Sequence, residues 1–332
     1  MRKGFFLAVL IAIATWAYAG AFPEYVRAAR AVNETYRAML VDVELGTLRF
    51  EKSRIEARDQ IELLAAESSF LGVRADARRA LGLFYAEVAD AVFGAIVADY
   101  DARIAEANLA IARAEERGAE ERFRAGLIPE GDLLDSRIAV RSAEIDRDER
   151  AWQRGDAMEA LDTATGLRFA DLAVPDVPGF AVTITVEQWT AADPAVERAR
   201  VAERIVALRV DRLPADVAPF DRLTLETELD RSRLAGDRAL TASERTFESL
   251  RRRSVTLARI VETRAEQLRL SEAASREADE RFTRGLLTMS ARDQSRTRVL
   301  TARRNLVDAE RNYLKVILEY AAAVGIDLEE LL

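Results

Sequence analysis

Residues 121–128 read ERFRAGLI, and residues 280–287 read ERFTRGLL. The glycines of the two copies are Gly126 and Gly285, whose positions differ by 285 − 126 = 159. We call this difference the repeat offset. Two further matches keep it: Ser136-Arg137 with Ser295-Arg296, and Gly166 with Gly325. A constant offset held across several motifs indicates an internal duplication, in which the chain carries two copies of one structural unit.

Each copy predicts a sharp corner between two helices. Glycine adopts positive φ without steric cost, which suits Gly126 and Gly285 to the C-terminal cap of a helix. After the second glycine, residues 290–293 (SARD) have the spacing of a capping box. After the first glycine, Pro129 suits the first position of a helix, and Asp132 suits the positive end of the helix dipole.

The predicted corners are residues 126–131 and 285–290. Two interpretations of them stay open. Each is either a plain hairpin corner between two coiled helices, or a projecting tip that docks a partner.

The composition favours long helices with much charge on their surface and argues against several classes of protein. Of the 332 residues, 49% are hydrophobic and 32% are charged. The net charge of −8 argues against a general nucleic-acid binder. The absence of histidine and cysteine removes the commonest general base, the thiol nucleophile and the usual transition-metal ligands. We therefore expect no enzyme, no cofactor and no metal site.

The N-terminus resembles a secretory signal peptide over residues 1–19. Arg2 and Lys3 precede an apolar segment, residues 5–16, which is too short to span a membrane comfortably. Residues 17–19 (AYA) have the pattern of a cleavage site. The alternative is an uncleaved membrane anchor. In both cases the rest of the chain is exported to the cell envelope, and we expect no membrane-spanning helix further along it.

The remaining sequence predicts two repeats made of long helices with a few short strands. Apolar residues step by four and three from Phe93 to Ala114, which is a heptad pattern. The proposed domains are a first repeat at 20–172, a linker with a short strand at 173–192, and a second repeat at 193–332. Alternating residues predict strands at 41–50, 180–186 and 223–229, although the first also fits a helix. The first long helix is predicted over 52–124 with an interruption near 68–72.

The two return helices do not match in polarity. The helix after the first corner, about 130–165, has Ile138, Ile145 and Trp152 at intervals of seven. The repeat offset also places three of its arginines opposite apolar residues of the second return helix: Arg147, Arg150 and Arg154 opposite Leu306, Ala309 and Tyr313. Either the first return helix is rotated about its axis, or this face of it lines water.

These features together resemble the TolC-like outer-membrane efflux family. The resemblance rests on the Gly-Leu corners at 126–128 and 285–288, the Arg-Phe pair before each corner, and the closing glycines Gly166 and Gly325. It covers nearly all of the mature chain. It implies a mainly α fold, with two tandem repeats of long antiparallel coiled-coil hairpins, assembled as a homotrimer around a helical tunnel.

The resemblance also implies a function and partners. Family members are exit ducts for efflux or secretion, and their tips contact a periplasmic adaptor protein that connects to an inner-membrane pump. The corner residues that would dock the adaptor are Gly126, Leu127, Ile128, Gly285, Leu286 and Leu287.

The sequence departs from the family in two respects. A membrane strand needs roughly 9–11 residues, and each repeat offers one short candidate, at 41–50 and at 223–229. We therefore expect the β-barrel of the family to be reduced or absent. The family's acidic entrance positions after the second corner are Ala291 and Gln294 here. The candidate gate residues are Asp132, Asp135 and Asp293, and for the first two the alternative is a favourable charge at a helix N-terminus.

The expected function is a non-enzymatic duct of the cell envelope, periplasmic, outer-membrane associated or both. The alternative is a periplasmic coiled-coil scaffold or spacer that has lost transport. An adaptor of the same pumps is disfavoured because two hairpins occur in tandem with little β sequence. A carboxylate-based enzyme is the least favoured, since the acidic residues are spread along helices.

Overall fold

The computed structural model describes residues 22–171 and 184–325, which are almost entirely helical. The predicted signal peptide, residues 1–19, lies outside them. The helices of the described ranges are α1 (Phe22–Val32), α2 (Glu34–Glu56), α3 (Gln60–Arg124), α4 (Glu130–Thr165), α5 (Val186–Ala192), α6 (Pro194–Asp211), α7 (Pro219–Thr283) and α8 (Met289–Val324), with a 3-10 turn at Phe169–Asp171.

The duplication is visible in the lengths and ends of the long helices. Helices α3 and α7 each have 65 residues, and α4 and α8 each have 36. Their C-terminal ends differ by the repeat offset (283 − 124 and 324 − 165). The positive-φ residues of the described ranges are the four glycines of the repeat: Gly126 (70°), Gly166 (68°), Gly285 (74°) and Gly325 (76°). The predicted tandem pair of long antiparallel hairpins is confirmed.

Ion pairs across the two hairpins also repeat at this offset. Arg137 contacts Glu120 at 3.4 Å in the first hairpin, and Arg296 contacts Asp279 at 2.8 Å at the same positions of the second. A second ion pair occupies equivalent positions in both hairpins, but the acidic and basic residues are exchanged. Arg113 contacts Glu144 at 2.8 Å, and the equivalent Glu272 contacts Arg303 at 2.8 Å. Both hairpins therefore close in the same register.

The four long helices lie side by side in the order α4, α3, α8, α7. Helix α3 packs against α4 on one side and α8 on the other, and α7 packs against the far side of α8. The shorter helices cover one part of this layer, α2 on α3, α6 across α3 and α7, and α5 on α7. Helices α4 and α7 are consequently the outer members of the layer.

The main core surrounds the middle of α3, the central helix. Phe84, Val92 and Phe93 are fully buried there against residues of α1, α4 and α8. The equivalents of Val92 and Phe93 in α7 are Arg251 and Arg252, because α7 has a long helix of the layer on one side only. A second core cluster joins Trp189 and Phe247 to Tyr320 and its neighbours on α8.

The predicted strands are wrong wherever the structure describes them. Residues 41–50 lie within α2 and residues 223–229 within α7, and no strand occurs within 22–171 or 184–325. Of the segment 180–186, Val186 starts α5, residues 184 and 185 are irregular, and the rest lies outside the described residues. Alternation was misleading because Val41, Leu45 and Leu48 also recur at helical spacing.

Three local expectations are also corrected. The break in the first long helical region is at residues 57–59, between α2 and α3, and α3 runs without interruption through 68–72. Thr288, instead of Ser290, caps α8, and its hydroxyl accepts a hydrogen bond from the amide of Ala291. Pro129 precedes the first helical residue of α4 as its N-cap.

Helix α3 contains one stretch that is apolar enough, by length and composition, to cross a membrane. Its mean hydropathy is 1.7 over 18 residues, and half of it is buried inside the fold. The same helix supplies more residues of the main core than any other helix does. Its apolar character is therefore that of a helix packed on several sides.

Tyr320 gives a prediction about alkaline stability. Burial raises its pKa from 10.0 to about 12, so the folded state holds the phenol proton more tightly than the unfolded chain does. This contribution is fully present below pH 10 and is lost as the pH rises from about 10 to about 12. We expect the free energy of unfolding to fall by up to about 2 kcal/mol over this range. Urea unfolding of Tyr320→Phe at each pH should lack this fall, and an equal fall in the variant would contradict the assignment.

Candidate functional site

The first corner is a Schellman cap followed directly by a new helix. The amide of Gly126 donates to the carbonyl of Phe123 at 2.9 Å, and the amide of Leu127 donates to that of Arg122 at 2.8 Å. This pair of bonds satisfies the last carbonyls of α3 and requires positive φ at the glycine. Gly126 therefore reverses the chain within a few residues.

The second corner repeats this geometry bond for bond. Gly285 donates to Phe282 at 2.9 Å, and Leu286 donates to Arg281 at 2.8 Å. A Cβ atom added at Gly126 or at Gly285 would meet nothing within 4 Å. Both corners thus present backbone that a partner can approach closely.

The leucine after each glycine points away from the chain's own core. Leu127 is 73% exposed and Leu286 is 66% exposed. A Schellman leucine commonly packs on the residue three places before the cap, but that residue is Arg122 or Arg281 here. The next residues, Ile128 and Leu287, are half-buried. Each corner therefore carries one uncovered leucine above one partly covered apolar residue.

Both corners lie at the same end of the layer, but they are not level. Ser290 donates to Glu115 of α3 at 2.8 Å, which places the start of α8 beside Glu115. Glu115 is nine residues before the end of α3 (124 − 115). At 1.5 Å of helical rise per residue, the second corner is set back by about 13 Å from the first.

The candidate gate carboxylates are not brought together. Asp132 and Asp135 are exposed on the first turns of α4. Asp293 is the fifth residue of α8, where it pairs with Arg292 at 2.7 Å. The guanidinium of Arg292 also lies 4.4 Å from the centre of the Phe282 ring. Asp293 is thus engaged in a local cluster at the second corner.

The Arg292 cluster and the Glu115 bridge were missed by sequence reasoning. Arg292 takes the place of the buried Leu133 in the first repeat, so an alignment of the two repeats would have singled it out. Glu115 has no comparable signal, because its contacts are with the other repeat. In the part of the chain that the structure describes, no three His, Cys, Asp or Glu side chains are placed to hold a metal ion.

Comparison with known proteins identifies the fold by structure alone. No protein-family profile matches the sequence, and no curated protein matches it. Among solved structures, the CmeC outer membrane channel of Campylobacter jejuni aligns with a TM-score of 0.60 at 13% identity, over 92% of this chain and 85% of that one. The VceC outer membrane protein of Vibrio cholerae gives 0.59 at 13% identity, over 92% and 97%.

CusC, which forms a transmembrane channel, aligns with a TM-score of 0.62 at 12% identity over 95% of both chains. The alignments span both hairpins and the helices between them. The predicted family resemblance is therefore confirmed at the level of structure, and the chain has the TolC-like fold of these outer-membrane channels.

Proposed function

We propose that this protein is a non-enzymatic component of the cell envelope that forms a helical duct of the outer-membrane channel type. The observation that carries the proposal is the pair of equivalent corners at one end of a TolC-like body, each with an exposed leucine. The proposal includes assembly as a homotrimer and docking of a periplasmic adaptor, which connects the duct to an inner-membrane pump. Efflux or secretion is the process in which the duct acts.

Self-association is supported by apolar side chains on the outer helices of the layer. The exposed residues on these helices include Ile138, Ile145 and Trp152 of α4 and Leu234, Ile260 and Leu270 of α7. The three α4 residues lie at intervals of seven and form one row, and such a row on a folded chain usually marks an interface. Sedimentation at micromolar concentration should show an oligomer, and a stable monomer would contradict this part of the proposal.

Adaptor docking is supported by the chemistry of the corners. Burial of one leucine by a partner contributes ~1.5–3 kcal/mol. Two corners in each of several copies repeat this contribution, so a weak contact at each tip adds up to stable binding. The open space over Gly126 and Gly285 lets a partner helix approach the backbone of both corners.

Substitution of the corner leucines tests the docking. Leu127→Ser with Leu286→Ser should abolish capture of a purified periplasmic adaptor and leave the melting temperature unchanged. The matched control is Leu48→Ser, which alters a similarly exposed leucine on α2. If the double variant melts earlier and still binds, the leucines are structural caps and the docking proposal fails.

Accessibility of the corners is a separate prediction. The chain has no cysteine, so Leu127→Cys and Leu286→Cys each introduce a single reactive thiol. Both should react rapidly with a water-soluble maleimide in the absence of adaptor, and adaptor should slow both reactions. Slow labelling of either variant alone would show that its corner is covered within the protein.

The gate residues remain a proposal of their own. Asp132 and Asp135 would ring the entrance of an assembled duct, and Asp293 would lie nearby with its charge balanced by Arg292. Conductance of the reconstituted protein should rise in Asp132→Asn/Asp135→Asn if these carboxylates restrict the entrance. Unchanged conductance would leave them as favourable charges at the start of α4.

The alternative function is a periplasmic coiled-coil scaffold or spacer that has lost transport. It is favoured by one observation, namely that residues 41–50 and 223–229 are helical and not the strands that the sequence predicted. Detergent-free fractionation separates the two functions. Recovery in the soluble periplasmic fraction supports the scaffold, whereas recovery with the outer membrane supports the duct.

A further inference from the structure

The duplication produces a second pair of turns at the end of the layer opposite the Gly-Leu corners. Helices α2 and α3 meet at residues 57–59, and α6 and α7 meet at residues 212–218. The long helices begin at Gln60 and Pro219, which differ by the repeat offset (219 − 60). We call the two turns the first and second far corners. Each lies at the start of a 65-residue helix, about 97 Å from the Gly-Leu corner at its other end.

The second far corner projects beyond the first. Arg212, which ends α6, contacts Asp59, the N-cap of α3, at 3.1 Å, so these two residues are level. Further along the hairpin, Glu203 of α6 contacts Arg233 of α7 at 3.6 Å. From that pair α6 continues for 9 residues (212 − 203), whereas α7 begins 14 residues away (233 − 219). The difference of five residues carries the turn about 7–8 Å past the start of α3.

The projecting turn is almost entirely apolar. Residues 213–220 read LPADVAPF, in which Asp216 is the one charged side chain. The equivalent residues of the first far corner, 54–61, read RIEARDQI and include four charged side chains. Phe220 is 77% exposed, and among the large apolar side chains of the described residues only Ile55, at 80%, is more exposed. The apolar turn is therefore a feature of the second repeat alone.

The backbone of this turn is restrained. The amide of Val217 donates to the carbonyl of Pro214 at 3.3 Å. Pro214 and Pro219 restrict φ, and Pro219 also starts α7. Residues 214–216 and 218–220 are exposed in this conformation. A turn that is already ordered loses little conformational entropy when a partner covers it.

Charged side chains of both signs lie behind the apolar turn. Arg209 and Asp211 are in the last turn of α6, and Asp221 and Arg222 are in the first turn of α7. All four are exposed. An apolar apex backed by mixed charge fits the boundary of a lipid bilayer, where acyl chains give way to phosphate and ammonium groups.

We propose that residues 213–220 insert into the interfacial region of the outer membrane and hold this end of the body against it. Peripheral segments of this kind place apolar side chains about 5–10 Å deep, which is similar to the projection of the turn. Eight residues are too few to cross a bilayer. The inference rests on the proposed function, in which the Gly-Leu corners dock an adaptor and leave the opposite end to face the outer membrane. It adds the segment and the lipid region that meet there.

A fluid lipid surface suits this turn better than a second protein does. Its exposed apolar residues are nearly consecutive, at 214, 215 and 218–220, so their side chains point to several sides of the apex. Acyl chains can surround such an apex from all sides, whereas a protein surface would have to enclose it in a pocket. Because the charges behind the turn have both signs, binding should need no anionic lipid and should persist at high salt.

Vesicle flotation tests the contact. Purified protein is mixed, without detergent, with vesicles of phosphatidylethanolamine and phosphatidylcholine and is centrifuged through a density gradient. The native protein should float with the vesicles. Phe220→Ser should weaken vesicle binding by about tenfold, and Phe220→Leu should retain it. The matched control is Ile55→Ser, which alters an equally exposed residue about 6 Å behind Asp59 and should leave flotation unchanged.

A probe on the turn measures its depth. The chain has no native cysteine, so Phe220→Cys and Ile55→Cys can each carry a single fluorescent dye. Lipids with a spin label on the acyl chain should quench the dye at position 220 and spare the dye at position 55. A dye at 220 that escapes quenching, or equal quenching at both positions, overturns the insertion.

The outcomes distinguish this inference from the function on which it rests. A native protein that captures the adaptor but ignores the vesicles overturns the insertion and leaves the duct proposal intact. If Phe220→Ser releases the protein from native outer membranes although pure lipid vesicles never bind it, the turn contacts a protein there, and the lipid contact is overturned. Flotation that depends on Phe220, without any adaptor capture, supports the lipid contact and contradicts the docking.

Discussion

Gly325→Ala is expected to lower the free energy of unfolding by about 3 kcal/mol, the sum of backbone strain and a weakened charged hydrogen bond. Gly325 ends α8 with φ of 76°, where an alanine is strained by about 1–2 kcal/mol. Its new Cβ would also lie 3.0 Å from Nη2 and 3.1 Å from Nε of Arg78. Arg78 cannot simply give way, because its Nη1 donates to the carbonyls of Ala192 at 2.7 Å and Ala323 at 3.0 Å.

Arg78 is the reason for the size of this effect. Its guanidinium joins the C-terminal ends of α5 and α8 to α3, and so connects the two repeats at the end remote from the corners. Burial lowers its pKa, and the positive charge of Arg74 lowers it further, whereas the charges of Asp193 and Glu197 raise it. The two carbonyls add to the groups that stabilise this partly buried cation. Hydrogen bonds to charged groups contribute about 1.5–3 kcal/mol, and losing part of them adds to the strain at Gly325.

A second glycine with positive φ supplies the matched control for this prediction. The φ of Gly285, 74°, is nearly that of Gly325, but a Cβ atom added at Gly285 would meet nothing within 4 Å. Gly285→Ala should show the strain alone, about 1–2 kcal/mol. Urea unfolding of both variants at one protein concentration measures the difference. Equal losses for Gly285→Ala and Gly325→Ala would show that Arg78 contributes nothing.

Arg154→Leu is expected to cost about 3 kcal/mol, since it removes one cation from a buried carboxylate. Asp99 is 5% exposed, and its carboxylate pairs with Arg103 at 2.8 Å and Arg154 at 3.0 Å. Breaking a buried pair by removing one partner costs about 3–5 kcal/mol. The lower end applies because Arg103 remains. Thermal or urea unfolding at neutral pH measures the loss.

The second repeat shows how this loss can be avoided. At the positions of Asp99 and Arg154 it has Ala258 and the buried Tyr313. Asp99→Ala combined with Arg154→Tyr should therefore be close to the native protein in stability, because no buried charge is left unpaired. A double variant as unstable as Arg154→Leu would show that the cost arises from packing and not from charge.

The same residues explain the mismatch between the return helices. Arg147 and Arg154 lie in one heptad row with the buried Leu133, Val140 and Leu161. The first return helix is therefore not rotated relative to the second. Its inward row accommodates Arg154 because Asp99 on α3 supplies the opposite charge, a long-range contact that spacing along one helix cannot reveal. Arg147 pairs with Asp148 of its own helix at 2.8 Å.

Most of the architecture was predicted from the internal repeat of the sequence. The wrong predictions concern helices that pack against different neighbours in the two repeats. Glycines matched by the repeat offset predicted both hairpins, their corners and their closing turns. The strand predictions at 41–50 and 223–229 were wrong because α2 and the start of α7 expose apolar residues such as Leu48 and Leu223. In these segments the positions of the apolar residues therefore do not indicate which helix face is buried. The set-back of the second corner depends on contacts of Glu115 that no single-helix pattern encodes.

The exchanged charges of the Arg113–Glu144 and Glu272–Arg303 pairs bear on how the chain avoids misfolding. The two hairpins have helices of identical length, so α4 and α8 could in principle trade places while the chain is being synthesised. A traded pairing would set Arg113 against Arg303 and Glu272 against Glu144. Like charges would repel each other in both incorrect hairpins, α3 with α8 and α7 with α4. This repulsion would disfavour the incorrect pairing before the four long helices pack together. A duplicated protein thereby distinguishes its own copies through the sign of two ion pairs.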